Sequence, residues 1–222
     1  LDVFLNTRMV DVQMATSARI ARLRSMDTLT GAYSTVGAQW VIDCTGDGWV
    51  GYYAGAEYRR GREPKAMYGE PDAPVTADDI TMSGCLMGRH SLSYRAEDVG
   101  RPVDYEAPAW AAELPDLAAL QRRPRNLTTG EWWLEHAGTW DDLFDAERSR
   151  DELLRISFGY WDYLKNRAPQ RAELTNHKLV YVPYMVAKRE TRRLIGDHVL
   201  TANEAVDGVR FPDGIAYGGW PV

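Results

Sequence analysis

The densest group of basic side chains lies between Lys188 and Arg193, where four cations surround Glu190 and Thr191. If this segment is extended, its side chains alternate between two faces, and Arg189, Thr191 and Arg193 share one of them. Two guanidinium groups on one face can hold a carboxylate or stabilise negative charge that develops on a substrate. The same residues can instead form a solvated face with Glu190 as the ion-pair partner. Arg189 and Arg193 are therefore candidate catalytic, substrate-anchoring groups.

A second candidate site is the glycine-rich turn Thr45, Gly46, Asp47 and Gly48, which follows a short apolar run at residues 40–42. Glycine has no Cβ, so the backbone of this turn can come close to a ligand or to another strand. Amide groups at the start of the next helix can then bind phosphate or ribose oxygens. The alternative is a plain strand-to-helix turn in which Asp47 is the helix N-cap.

The sequence gives little support to a metal site. Asp141, Asp142 and Asp145 resemble an Mg²⁺-binding motif, but acidic residues at a helix start are also what the helix dipole favours. Neither the histidines nor the cysteines have a metal-binding spacing; these residues are His90, His136, His177, His198, Cys44 and Cys85. We therefore predict no metal, and the cysteine usage favours a reducing, cytoplasmic compartment.

Composition restricts the class of partner. The chain has 222 residues, of which 45% are hydrophobic and 26% charged, and its net charge is −6. This balance argues against nucleic acid, because no basic excess is available to displace counterions. No apolar run approaches the roughly 20 residues of a membrane span, so no membrane partner is expected. The tryptophans can stack on a sugar or flavin ring or pack in a core; we single out Trp132, Trp133, Trp140 and Trp161.

The elements around the glycine-rich turn follow from periodicity. Alternation predicts strands at residues 1–14, 18–26 and 32–36, which would form an antiparallel meander. The apolar run at 40–42 is typical of a central strand of a parallel sheet covered on both faces. Residues 46–51 have the G-x-G-x-x-G spacing, but they follow the predicted meander instead of opening the domain, so the pyrophosphate site of a bound dinucleotide would precede Leu1. The chain begins within a predicted strand, and we expect it to be a piece of a longer protein.

The remaining chain alternates helical and strand patterns. A long amphipathic helix is predicted at residues 141–167, where apolar residues recur at intervals of three and four and Pro169 follows. Further predicted elements are a helical piece at 107–120, a helix within 199–206, and strands at 81–92, 131–135, 178–185, 189–195 and 211–220.

Several segments, taken in order, resemble one known family. Residues 41–48 read VIDCTGDG, followed by AGAE at 54–57 and GRE at 61–63. Next come EWW at 131–133, RDELLR at 150–155, WDYLKN at 161–166, KRETRRLIGD at 188–197, FPD at 211–213 and YGGW at 217–220. This series is similar to the FAD-dependent oxidoreductases of the glutathione-reductase-like flavoprotein superfamily. The chain departs from that pattern at Thr191, where the family has Ser, and at Cys44, where it has Ala.

The resemblance implies an α/β fold, α+β within this piece, with FAD as the cofactor. Residues 1–56 would be the later part of a Rossmann-like FAD-binding domain, and residues 57–222 a substrate domain with strands that return towards it. The backbone at Met9 would meet the adenine, and Thr45, Gly46, Asp47 and Gly48 would lie beside the FAD ribose and pyrophosphate.

The implied reaction is hydride transfer between a small molecule and flavin N5, with Arg189 and Arg193 near the flavin or the substrate. This piece alone is expected to bind FAD poorly and to be inactive. A carbohydrate-active protein, lyase-like or sugar-binding, is the alternative, which the tryptophan content supports.

Overall fold

The computed structural model describes residues 1–86, 94–114, 124–130, 134–138, 140–141, 143–188 and 191–218. Its strands are β1 (Thr7–Thr16), β2 (Arg19–Asp27), β3 (Tyr33–Val36), β4 (Tyr58–Arg59), β5 (Thr81–Leu86), β6 (Arg95–Asp98), β7 (Glu135–Gly138), β8 (His177–Tyr181), β9 (Val186–Ala187) and β10 (Arg193–Leu194). Its α-helices are α1 (Trp49–Tyr53), α2 (Lys65–Tyr68), α3 (Ala146–Asn166) and α4 (Ala202–Asp207). A 3₁₀ turn spans Arg171–Leu174.

The chain divides into two compact units. The first comprises residues 1–43, 48–79 and the described residues from 192 onwards, and the second comprises residues 44–47 and the described part of 80–191. Residues 57–79 thus pack with the first unit. The assignment of residues 1–56 to FAD binding and of residues 57–222 to substrate binding stays a prediction.

The predicted meander is confirmed in the first unit, where β1, β2 and β3 form an antiparallel sheet in that order. The β2–β3 turn is stabilised by Asp27, whose carboxylate accepts the amides of Leu29 and Thr30 at 2.8 and 2.9 Å. These bonds lower the pKa of Asp27. Gly31 closes the turn with a φ of +72°, a conformation that favours glycine.

The predicted central strand at residues 40–42 is wrong. This run belongs to no strand, and Trp40 and Ile42 are 83% and 85% exposed. An apolar strand is held by ladder hydrogen bonds and by cover on its faces, and the described residues supply neither. Every strand pairing in the described ranges is antiparallel. What these ranges contain is a mixed α+β structure with small sheets, and the Rossmann-like parallel sheet stays a prediction.

The second unit is built around α3, which confirms the predicted long helix but begins at residue 146 rather than 141. Its buried face carries Tyr160, Trp161 and Leu164, which pack with Tyr94 and Leu134 in one apolar cluster. Strand β5 lies between β7 and β9, and β6 pairs with β8. The turn before α3 forms locally, because the carboxylates of Asp141 and Asp145 accept backbone amides of that same turn.

Other predicted elements have mixed outcomes. Helix α4 confirms the predicted short helix and begins with a capping box, in which Thr201 and Glu204 each bond the other's backbone amide. Residues 107–114 form no helix and residues 211–218 form no strand, so these two predictions are wrong there. Their apolar residues do not repeat with a sustained period. The predictions at 87–92, 115–120, 131–133 and 219–220 lie outside the described residues.

Candidate functional site

Asp47 of the glycine-rich turn is the central residue of the candidate site. The residue is 7% exposed, and both carboxylate oxygens have partners within the second unit. Lys188 Nζ donates to Oδ2 at 2.5 Å, and Thr191 Oγ1 donates to Oδ1 at 3.1 Å. The structure therefore brings together the two segments that the sequence singled out separately.

The geometry of the basic segment corrects the predicted alternation. An extended segment would place Lys188 and Thr191 on opposite faces, yet both bind the same carboxylate. Among the described residues of this segment, 191–192 are not in a strand, and Arg193–Leu194 pairs with Tyr58–Arg59 of β4. The side chains of Lys188 and Thr191 therefore converge on Asp47 rather than alternating between two faces.

Gly46 leaves the backbone of the turn accessible. It is exposed, its φ is +82°, and a Cβ built on it would meet no atom within 4 Å among the described residues other than its chain neighbours. With Asp47 fixed beside it, Gly46 presents main chain to open space. A planar polar ligand can come close to the peptide here without meeting a side chain.

The start of α1 corrects the expected role of Asp47 as N-cap. The N-cap is Gly48, whose φ of +63° favours glycine. The amide of Gly51 is bound instead by Asp43, whose Oδ2 accepts it at 3.0 Å. Helix α1 has five residues, and the carboxylate of Asp43 already accepts one of its first amides. It is therefore not the anion-binding helix that the sequence suggested.

The first unit contains a buried arginine that sequence reasoning missed. The Arg192 guanidinium lies 4.3, 4.0 and 5.6 Å from the ring centroids of Trp49, Tyr52 and Tyr58, and the residue is 6% exposed. Aromatic faces attract a cation most strongly where water is excluded. The ring-rich segment from Trp49 to Tyr58 was the available signal, but it does not identify which arginine the rings surround.

Arg193, a predicted catalytic residue, is engaged within the first unit. Its Nη2 donates to Glu63 Oε1 at 2.7 Å and to the carbonyl of Gly61 at 2.6 Å. These bonds fix the loop that carries the Gly-Arg-Glu motif at residues 61–63. A role for Arg193 at a substrate stays a prediction.

Glu63 gives this ion pair a pH dependence. Burial alone would raise the pKa of Glu63, but its hydrogen bond to Arg193, a backbone hydrogen bond and the charges of Arg193 and Arg59 together outweigh burial, and the pKa is lowered. A carboxylate with a depressed folded-state pKa contributes stability above its unfolded pKa of about 4.3, and that contribution is lost as pH falls through the folded value. Glu63→Gln should therefore cost about 1 kcal/mol of unfolding free energy at pH 7 and have little effect near pH 3.

Denaturant titrations at the two pH values check this prediction. The exposed Glu57→Gln serves as the control and should change stability little at either pH. An equal loss for Glu63→Gln at both values would mean that its ionisation is not coupled to folding.

The other predicted residues occupy varied environments. Met9 lies half-buried in β1 opposite Ser25, next to a shift in the strand register, and its contact with adenine stays a prediction. Arg189, Trp132 and Trp133 lie outside the described residues. Trp161 packs in the core, whereas Trp140 holds the guanidinium of Arg148 at 4.0 Å from its ring centroid.

Within the described ranges, no group of three or more His, Cys, Asp or Glu side chains is arranged to hold a metal ion. None of the described helices combines the length and the apolar character that crossing a bilayer requires.

Comparison with known proteins gives one match. A family model described as FAD dependent oxidoreductase matches residues 1–222. No curated protein and no solved structure matches the chain.

Proposed function

The chain belongs to the FAD-dependent oxidoreductase family, and from this membership we propose that it takes part in hydride transfer between a small-molecule substrate and flavin N5. The family makes the protein an oxidoreductase with FAD as its cofactor. The glutathione-reductase-like relationship, the Rossmann-like domain and the identity of the site residues are parts of the proposal.

The observation that carries the proposal is the open backbone at Gly46 beside the fixed Asp47. The group to be held is a long polar dinucleotide, and close approach of main chain to such a ligand requires a position without Cβ. Gly46 meets that requirement because, apart from its chain neighbours, no described residue lies within 4 Å of the position that a Cβ would occupy. The residues present thus fit the cofactor at this turn, and we assign Thr45, Gly46, Asp47, Gly48 and the backbone of Met9 to binding it.

Bound FAD supplies the hydride acceptor or donor, and the protein supplies position and charge. Asp47 holds the turn in shape through Lys188 and Thr191, so the amides near Gly46 need not reorganise when the cofactor binds. Arg193 keeps the loop at residues 61–63 in place through Glu63. Arg189 follows Lys188 directly, and we assign it the role of neutralising negative charge on the substrate.

Flavin retention tests this assignment. We expect the purified full-length protein, rather than this chain alone, to release stoichiometric FAD on denaturation, identified by its visible absorption and by chromatography. Gly46→Val should lower FAD content severalfold, because a branched side chain would fill the open approach and strain the positive φ. Gly100→Val is the matched control, since Gly100 also has a positive φ and open space but lies elsewhere in the second unit. A folded protein without flavin, or equal FAD loss in both variants, would contradict the proposed site.

Arg189→Ala separates a role in turnover from a role in cofactor binding. We expect turnover to fall about 100-fold while FAD content stays near that of the parent, because the lost charge acts on the developing negative charge of the reaction. Arg150→Ala, which removes an exposed guanidinium paired with Asp151, is the control. Unchanged turnover in Arg189→Ala would mean that Arg189 does not act in the reaction.

A carbohydrate-active role is the second candidate, and one surface of the second unit favours it. A cavity of about 660 Å³ lies against α3 between Trp110 and Trp140. Its charged lining consists of Arg148, Asp151, Glu152 and Arg155. The exposed indole ring of Trp110 and the half-buried ring of Trp140, beside charged side chains, suit a sugar, whose C–H face stacks while its hydroxyls form hydrogen bonds. Saccharide binding by a flavin-free protein would favour this candidate over the oxidoreductase.

A further inference from the structure

A second cavity of the second unit, which none of the assigned site residues uses, has a different character. It encloses about 600 Å³ beside α3 and β8, within the range of pockets that bind small molecules. Aromatic rings form much of its wall. Trp110 and Phe158 have ring centroids 4.9 Å apart, and Tyr105 and Trp161 meet edge to face at 6.4 Å.

Aliphatic side chains complete the wall, among them Leu154, Leu179 and Val180. Trp110 and Val180 remain 53% and 39% exposed, so apolar surface stays open to solvent in a concave place. Burying such surface against a ligand is favourable at roughly 25 cal/mol per Å². The cavity is therefore suited to an apolar occupant.

The charged side chains of the cavity lining indicate that its occupant is neutral. Asp104 and Lys178 are the carboxylate and the ammonium of the lining, and their opposite signs leave no net charge that would favour an ion. Burial, assisted by the negative charge of Asp162, raises the pKa of Tyr105 to about 12. Tyr105 therefore stays a neutral phenol at physiological pH.

Two buried ring nitrogens indicate where a polar atom is needed. Trp161 Nε1 and His177 Nδ1, on two residues of the lining, have no hydrogen-bond partner in the part of the chain that the structure describes. Buried polar atoms in proteins are nearly always paired. A small shift of either ring towards a polar ligand atom would satisfy them.

We propose that this cavity binds a neutral aromatic or fused-ring small molecule that carries one polar substituent. The ring system stacks on Trp110 and Phe158, and its substituent lies towards the ring nitrogens of Trp161 and His177. Aliphatic walls at Leu179 and Val180 disfavour a saccharide, because its hydroxyls would lose their hydration without gaining partners. The proposal concerns binding alone and holds whether or not the ligand is the molecule that is oxidised.

Binding of 2-naphthol to the full chain tests the proposal, with maltotriose as the saccharide probe. Saturation-transfer NMR should detect the naphthol ring protons, and titration should give saturable binding. Trp110→Ala should weaken it about fivefold by removing a stacking wall, and Val180→Asp about tenfold by placing a charge against the apolar ring. Both residues are exposed, so neither variant should impair folding, which circular dichroism checks.

Tyr184→Ala is the matched control, because Tyr184 is an exposed ring of the same unit that does not line the cavity. Naphthol affinity should be unchanged in this variant. Absence of saturable binding, equal weakening in Tyr184→Ala and Trp110→Ala, or stronger binding of maltotriose than of 2-naphthol would overturn the proposal. FAD content, measured on the same preparations, reports on the oxidoreductase assignment separately and is expected to be unaffected by either cavity variant.

Discussion

Asp47→Ala is expected to lower the free energy of unfolding by about 3 kcal/mol, because it leaves the partly buried ammonium of Lys188 without its counter-charge. The hydroxyl of Thr191, which is almost fully buried, loses its acceptor in the same variant. Chemical denaturation followed by circular dichroism measures the loss. Under the proposed function, FAD content should fall as well, since the turn at Gly46 is then no longer held in shape.

Three further variants identify the cause of that loss. Asp47→Asn keeps the shape of the side chain and one hydrogen-bond acceptor but removes the charge. Its free energy of unfolding should therefore lie between those of the parent and Asp47→Ala. Thr191→Val should cost about 1–2 kcal/mol by removing one buried hydrogen bond. Asp72→Ala, at an exposed carboxylate of the first unit, is the control and should change stability by less than about 0.5 kcal/mol. If Asp47→Ala is as stable as this control, the contacts of Asp47 do not hold the turn.

Trp161→Ala is expected to destabilise the second unit by about 3–5 kcal/mol, the usual cost of truncating a large buried ring. Trp161 is fully buried and packs edge to face against Tyr94 and Tyr105. Trp161→Phe should recover part of the loss, because it restores a ring while leaving a smaller void.

Trp40→Ala is the matched control, since it removes the same side chain from an 83% exposed position. Thermal unfolding gives the melting temperatures of Trp161→Ala, Trp161→Phe and Trp40→Ala, which are then compared. Similar melting temperatures for Trp161→Ala and Trp40→Ala would show that α3 does not depend on the ring of Trp161.

Local periodicity explains which parts of the fold could be predicted. Strands β1 to β3 alternate polar and apolar residues and are joined by short turns, so both their conformation and their pairing are encoded nearby. Helix α3 repeats apolar residues with the period of a helix, and Leu153, Trp161 and Leu164 are buried as that period requires. These elements need little information from distant parts of the chain.

The incorrect predictions concern segments whose conformation depends on residues that are distant in the sequence. The run at residues 40–42 has the composition of a central strand, but a strand forms only beside a partner, and composition cannot supply one. The basic segment was expected to alternate, yet Lys188 and Thr191 both turn to a carboxylate more than 140 positions away.

The candidate site was therefore predictable in its parts but not in its geometry. The glycine-rich turn and the basic segment were both recognisable from residue types. Asp47 as the link between them was not, and neither was Asp43 as the acceptor for the helix amide, because several acidic residues were equally plausible.

The bond between Asp47 and Lys188 also has a consequence for biosynthesis. It spans 141 positions of the chain, and ribosomes add roughly 5–20 residues per second. Lys188 is therefore synthesised on the order of ten seconds after Asp47, and it leaves the exit tunnel later still. During this interval the nascent turn lacks the ammonium of Lys188, so under the proposed function we expect FAD to be loaded after translation has passed the basic segment.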